Sequence, residues 1–268
     1  MPPTRRRRRS RRPYQGWLSP RTVTVFVGAL LTVSAIAYGL SLLYAPRPAL
    51  DLTPAADYVA APPPVAVGSR GGEVSRTATR GRSVVDEAWL ERTAASAGIP
   101  LPAMRAYATA QVSDVGGCEV GWTTLAGIGW VESHHGTIDG RTLGEDGRPT
   151  PPIIGPALDG THGFARIRST PESQAWHGDA QWEHAVGPMQ FLRSSWDRFA
   201  TDGDGDGVAD PQDIDDAAAT TARYLCADGY DLGTGDGWAR AIFSYNHSQA
   251  YVDEVYAAAT AYAERTAG

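Results

Sequence analysis

Hydrophobic positions run unbroken near the start of the chain and recur at helical spacing through its C-terminal two thirds. Residues 22–45, TVTVFVGALLTVSAIAYGLSLLYA, place 24 positions in a row without a charge, more than the roughly 20 helical residues that cross a hydrocarbon core. They predict a single transmembrane helix. The pattern then fades across residues 46–84, rich in Pro, Ala, Gly and Arg, where too little apolar surface is available for a core and a disordered linker is expected. From residue 85 the helical period sets in. Asp86 can cap a helix to about Ala97, Pro100-Leu-Pro102 opens a second, and a third spans roughly Gly121 to Ser133. Helical spacing returns at Ser194–Phe199, Pro211–Cys226, Trp238–Tyr245 and Tyr251–Arg265. Residues 137–185, rich in Gly, Pro, Asp and Thr, hold no sustained period, and so long an irregular stretch inside a compact domain is usually functional or only partly ordered. No strand alternation competes, so the fold class is mainly α, with a long irregular insertion that has room for a short hairpin over a cleft.

Charge gives this plan a direction. Residues 1–21 carry eight arginines and no acid, which leaves 16 basic against 30 acidic side chains for the rest of the chain. By the positive-inside rule the basic tail is cytoplasmic and residues 85–268 form a domain outside the cytoplasm. Beside a membrane span, the arginines suit topology and anionic lipid rather than nucleic acid. The competing reading is a secretory signal peptide, but the apolar run is long for one and Tyr44-Ala45-Pro46 offers no clean small-x-small cleavage site. In that compartment the two cysteines, Cys118 and Cys226, have one intrachain pairing open to them, tying the start of the third helix to the end of a later one. The scattered histidines offer no zinc site, and nothing in the chain predicts an organic cofactor.

Candidate chemistry begins with Glu132, in GWVESHHG. Helical spacing sets it on the side where Leu125, Ile128 and Gly129 face a core. The placement fits a rim glutamate that reaches solvent, and it equally fits a carboxyl kept neutral by burial and able to donate a proton. The turn Gly187-Pro-Met-Gln-Phe191 offers apolar Met189 and Phe191 around Gln190, whose amide both donates and accepts, a combination suited to a neutral amide-bearing ligand. Tyr245-Asn246 sets a phenol and an amide at a helix exit. Between these motifs lies DGDGDGVADPQD. Counting from Asp202, oxygen ligands fall at loop positions 1, 3, 5 and 9 (Asp202, Asp204, Asp206, Asp210), glycine at 6 and the Val208 carbonyl at 7, as in an EF-hand calcium loop. Asp213 stands at position 12 where glutamate is usual, one methylene short for bidentate coordination. The loop predicts one structural calcium ion.

Four motifs in this order, GWVESHHG, GPMQF, the acidic loop and the YN helix end, resemble the lytic murein transglycosylases, most of all the membrane-bound B type and its calcium-loop relatives. The resemblance covers roughly Asp86 to Ala263. It implies a lysozyme-like helical catalytic domain over residues 85–268 that acts on peptidoglycan glycan strands, cleaving between N-acetylmuramic acid and N-acetylglucosamine and leaving a 1,6-anhydro ring. It implies Glu132 as catalytic acid and base, with Gln190, Tyr245 and Asn246 holding N-acetyl groups or steering the glutamate. Ser133, Met189 and Phe191 come with the same motifs as substrate-site residues. A lysozyme-type hydrolase and a catalytically idle wall-binding module are the competing readings. A hydrolase would need a second carboxylate, and Asp139, Glu145, Asp159 and Asp179 in the irregular stretch are the candidates.

Overall fold

The computed structural model describes residues 85–113 and 116–267. The basic tail, the expected membrane span and the expected linker lie outside the described residues. Among those described, no helix is long and apolar enough to cross a membrane.

Eight α-helices dominate. They are α1 (Glu87–Ala97), α2 (Leu101–Ser113), α3 (Trp122–Ser133), α4 (Pro171–His177), α5 (Arg193–Phe199), α6 (Ile214–Cys226), α7 (Gly235–Tyr245) and α8 (Gln249–Thr266). Their ends follow local chemistry. Asp86 accepts the Trp89 N–H at 2.7 Å, and Gly98 closes α1 in the left-handed region. Thr234 and Ser248 cap α7 and α8. Helix α6 starts later than the sequence suggested, because Asp213 rather than Asp210 caps it.

Helix α3 is the axis of the domain. Every residue from Trp122 to Gly129 is buried, as a helix that is apolar on all sides must be. It packs against α2, α6 and above all α8. Two glycines allow this closeness. A methyl on Gly127 would stand 2.8 Å from the Val255 carbonyl of α8, and one on Gly129 would fall on the Tyr107 hydroxyl of α2. The helix ends where His134 and His135 both adopt positive φ. His135 is buried and held between the Tyr107 hydroxyl (3.1 Å) and the Tyr262 hydroxyl (2.8 Å). Burial lowers its pKa to about 3, so it is a neutral tie among α2, α3 and α8. The Cys118–Cys226 disulfide joins the approach to α3 to the last residue of α6.

The irregular stretch is ordered. It opens with a single 3-10 turn (Ile138–Gly140) and an antiparallel hairpin, β1 (Thr142–Leu143) with β2 (Pro149–Thr150). It continues through isolated pairings Ile154–Val186, Asp159–Arg166, Arg168–Trp182 and Val186–Phe191. The short helix α4 within it was not expected. Its seven residues bury only Ser173, too little for an amphipathic period. The legible signal was Thr170-Pro171, followed at Ser173 by the reciprocal bond of a capping box.

Candidate active site

Glu132 leaves the last turn of α3 and is half-buried. Its Oε1 accepts a 2.6 Å hydrogen bond from the Tyr251 hydroxyl. Burial raises its pKa from 4.5 to about 7, against the lowering effect of that bond. Partial exposure and a raised pKa fit together: packing removes much of the water around the carboxyl while part of its surface stays open. Such a group exchanges a proton near neutral pH.

The neighbouring motifs converge on this carboxyl. Ser133 Oγ donates to the Pro188 carbonyl at 2.6 Å and accepts the Gly136 N–H at 2.8 Å, locking the end of α3 to the 187–191 turn. Tyr245 donates to the Met189 carbonyl at 2.7 Å and stacks on Tyr251, the ring centroids 6.4 Å apart at 14°. Glu132, Tyr251, Tyr245 and the GPMQF turn therefore form one constellation. Gln190 is only partly buried, with φ +49°, and its Nε2 donates to the Gly187 carbonyl at 2.9 Å. Its Oε1 rests on Gly155, where any side chain would collide with it.

Three of the expected substrate-site residues are buried. Ser133 and Met189 have no exposed surface and Phe191 is 3% exposed, so they shape the site from beneath. Asn246 is exposed at the exit of α7, where a ligand can meet it. Tyr251 was missed. In sequence it opens an ordinary amphipathic helix, and only the packing of α8 on α3 turns its hydroxyl to the carboxylate. Of the expected second carboxylates, Asp139 pairs with Arg141, Glu145 is exposed in the hairpin turn and Asp159 binds Thr161. Asp179 accepts from the Gln181 and Trp182 N–H groups and from His184. No carboxylate among the described residues shifts the pKa of Glu132.

The acidic loop departs from the EF-hand count. The oxygens that gather, within 4.8 Å of one another, belong to Asp202, Asp204 and Asp216. Asp216 accepts the Gly203 N–H at 2.7 Å and the Asp210 N–H at 2.8 Å, and burial raises its pKa to about 6. Asp213, expected at position 12, caps α6 instead and lies 3.5 Å from Arg148, which also binds Asp210. That arginine, from the hairpin, draws both carboxylates away. Asp206 accepts the Val208 N–H, and Val208 is 59% exposed. The missed ligand candidate, Asp216, lies in the first turn of the following helix, beyond the twelve-residue count.

Residues 170–241 match the family model of the transglycosylase SLT domain. The matched segment holds the GPMQF turn, the acidic loop and most of α7, while Glu132 lies upstream of it. No curated protein matches the chain by sequence. Among solved structures it is similar to the Escherichia coli lytic transglycosylase Slt35 in complex with bulgecin A, at 15% identity and TM-score 0.42, covering 69% of this chain and 76% of that one. Slt35 in complex with calcium matches at 15% identity and TM-score 0.41, covering 69% and 77%. SltB3 from Pseudomonas aeruginosa, in complex with NAG-anhNAM-pentapeptide, matches at 19% identity and TM-score 0.36, covering 63% and 65%. At that level of likeness no residue is carried across. Residues 170–241 of the chain thus carry the likeness to the transglycosylase SLT domain.

Proposed function

We propose that the enzyme breaks the β-1,4 bond between N-acetylmuramic acid and N-acetylglucosamine and closes a 1,6-anhydro ring, with Glu132 serving first as acid and then as base. The carrying observation is a half-buried carboxyl with a pKa near 7, bound to one tyrosine and influenced by no second carboxylate. The protonated Glu132 gives its proton to the bridging oxygen as the C1–O bond breaks. The acetamido oxygen of the substrate supports the positive C1. The resulting carboxylate then takes the proton of the C6 hydroxyl as O6 bonds to C1, so atoms balance without water. Gln190 and Asn246 hold the sugar amides, in a lysozyme-like arrangement of helices around the cleft. Incubation with purified sacculi tests the reading. Soluble muropeptides with anhydro ends are expected, and a protein that binds sacculi without releasing any would be a wall-binding module instead.

Tyr251 keeps the Glu132 carboxyl from rising further, since its hydrogen bond favours the ionised form. Tyr251→Phe is expected to shift the alkaline limb of the pH–rate profile upward, because the acid stays protonated to higher pH. The rate should fall about ten-fold as the carboxylate loses its orientation. An unchanged profile would remove Tyr251 from the mechanism.

We also read the acidic loop as a structural calcium site. The donors are all oxygens, and the buried Asp216 carboxylate is costly to ionise beside Asp204. Asp202, Asp204 and Asp216 would hold the ion, which supplies positive charge to the turn before α6. Saturating calcium is expected to stabilise the domain by about 1 to 3 kcal/mol in thermal unfolding. Asp216→Asn should abolish that gain; a gain of equal size in the variant would contradict the assignment. The N-terminal segment is read as a membrane anchor, with its basic flank cytoplasmic and the enzyme facing the wall.

A further inference from the structure

From the side chains Arg166, Arg168 and Trp182, we propose a second binding ledge on the insertion, which takes the carboxylates of the stem peptide attached to the glycan strand. The inference rests on the peptidoglycan reading above. The Arg168 guanidinium carbon lies 4.1 Å from the centroid of the Trp182 ring, and that of Arg166 lies 5.3 Å from it. Both arginines are exposed. The other two arginines of the insertion, Arg141 and Arg148, each face a carboxylate. Arg166 and Arg168 form no ion pair among the described residues. Asp159, opposite Arg166 in the backbone pairing, gives its carboxylate to Thr161. A guanidinium lying on an aromatic face keeps its N–H edge open for a planar anion.

The ledge is built rather than loose. Arg168 and Trp182 are bridged across the backbone, and the Ser169 N–H donates to the Gln181 carbonyl. Asp179 fixes the Trp182 N–H at 3.2 Å and His184 Nε2 at 3.1 Å. His184 Nδ1 in turn meets the Gly155 carbonyl at 2.7 Å, and Gly155 is the residue on which Gln190 rests. Trp182 is three residues from Ala185, whose carbonyl accepts the Gly155 N–H. Three residues of chain put the ledge within about 11 Å of Ala185, beside the Gly155 contact of Gln190. A stem peptide of four residues spans up to about 14 Å, enough to reach it from a muramic acid held in the cleft.

The test compares glycan strands carrying stem peptides with strands stripped of them by an amidase, using the wild type and Arg166→Ala/Arg168→Ala. The wild type should prefer peptide-bearing strands. The variant should lose roughly 5- to 30-fold in kcat/KM on them and nothing on bare strands, with an unchanged melting temperature. Binding is read separately, by titrating muramyl-tetrapeptide disaccharide and bare disaccharide against tryptophan fluorescence. A wild-type preference for the peptide-bearing disaccharide that vanishes in the variant supports the ledge even if neither strand is cut, an outcome that would sink only the lytic reading. Equal binding of both disaccharides by the wild type, or an equal loss on both strands in the variant, overturns the ledge. Displacement of the peptide by inorganic phosphate at lower concentration than by free stem peptide also overturns it, assigning the arginines to a phosphate polymer.

Discussion

Glu132→Gln is expected to release no soluble muropeptides from sacculi, a loss of at least about 10³-fold, and to yield a protein more stable than the wild type above neutral pH. Both effects come from one carboxyl. Its proton is required for departure of the leaving sugar and its ionised form for capture of the C6 hydroxyl proton, so an amide fails at both steps. The stability gain follows from linkage. The folded pKa of about 7 exceeds the unfolded value of 4.5, so ionised Glu132 opposes folding. That penalty is absent below pH 4.5, grows as pH rises, and is complete above about pH 7. Removing it is worth about 1 to 3 kcal/mol at pH 8 and close to nothing at pH 4. Melting temperatures of the two proteins at those pH values check it, and parallel curves would mean that packing does not desolvate the carboxyl.

Loss of the Cys118–Cys226 bond is the second large effect. The cysteines are separated by 108 positions, and opening so long a loop restores considerable freedom to the unfolded chain. The cost is about 2 to 4 kcal/mol, or about 4 to 16 °C in melting temperature for a domain of this size. The bond anchors the approach to α3 against the end of α6, so both the helix that carries Glu132 and the helix that follows the acidic loop lose a common tie. Cys118→Ser/Cys226→Ser is expected to melt early, and the wild type in strong reductant should melt with it. A coincident melt of oxidised and reduced wild type would show that the bond is dispensable.

The residues differ in how far they announced themselves. Glu132 was legible because a charge among Leu125, Ile128 and Gly129 breaks the helical pattern, and burial in the fold supplies the reason. Cys118 and Cys226 had no other partner in the chain. Helix ends were legible to within a few residues wherever a capping side chain stood at the boundary. What sequence could not give was tertiary aim. Tyr251 and Tyr245 look alike in a helix pattern, yet one hydroxyl reaches Glu132 and the other the Met189 carbonyl. Asp213 and Asp216 both belong to the acidic run, and the choice between them was made by Arg148, 62 residues from Asp210 in sequence. Ser133, Met189 and Phe191 belong to the right motifs, but lie under the surface that their neighbours present. The insertion hid its order because isolated pairings leave no period to read.

In the proposed mechanism one glutamate carries the whole reaction without water as a reactant. Digestion of sacculi in ¹⁸O-enriched water, followed by mass spectrometry of the muropeptides, tests it most directly. Muramic acid ends one water lighter than the reducing form and free of ¹⁸O are expected. Reducing ends that carry ¹⁸O would contradict it, making the enzyme a hydrolase.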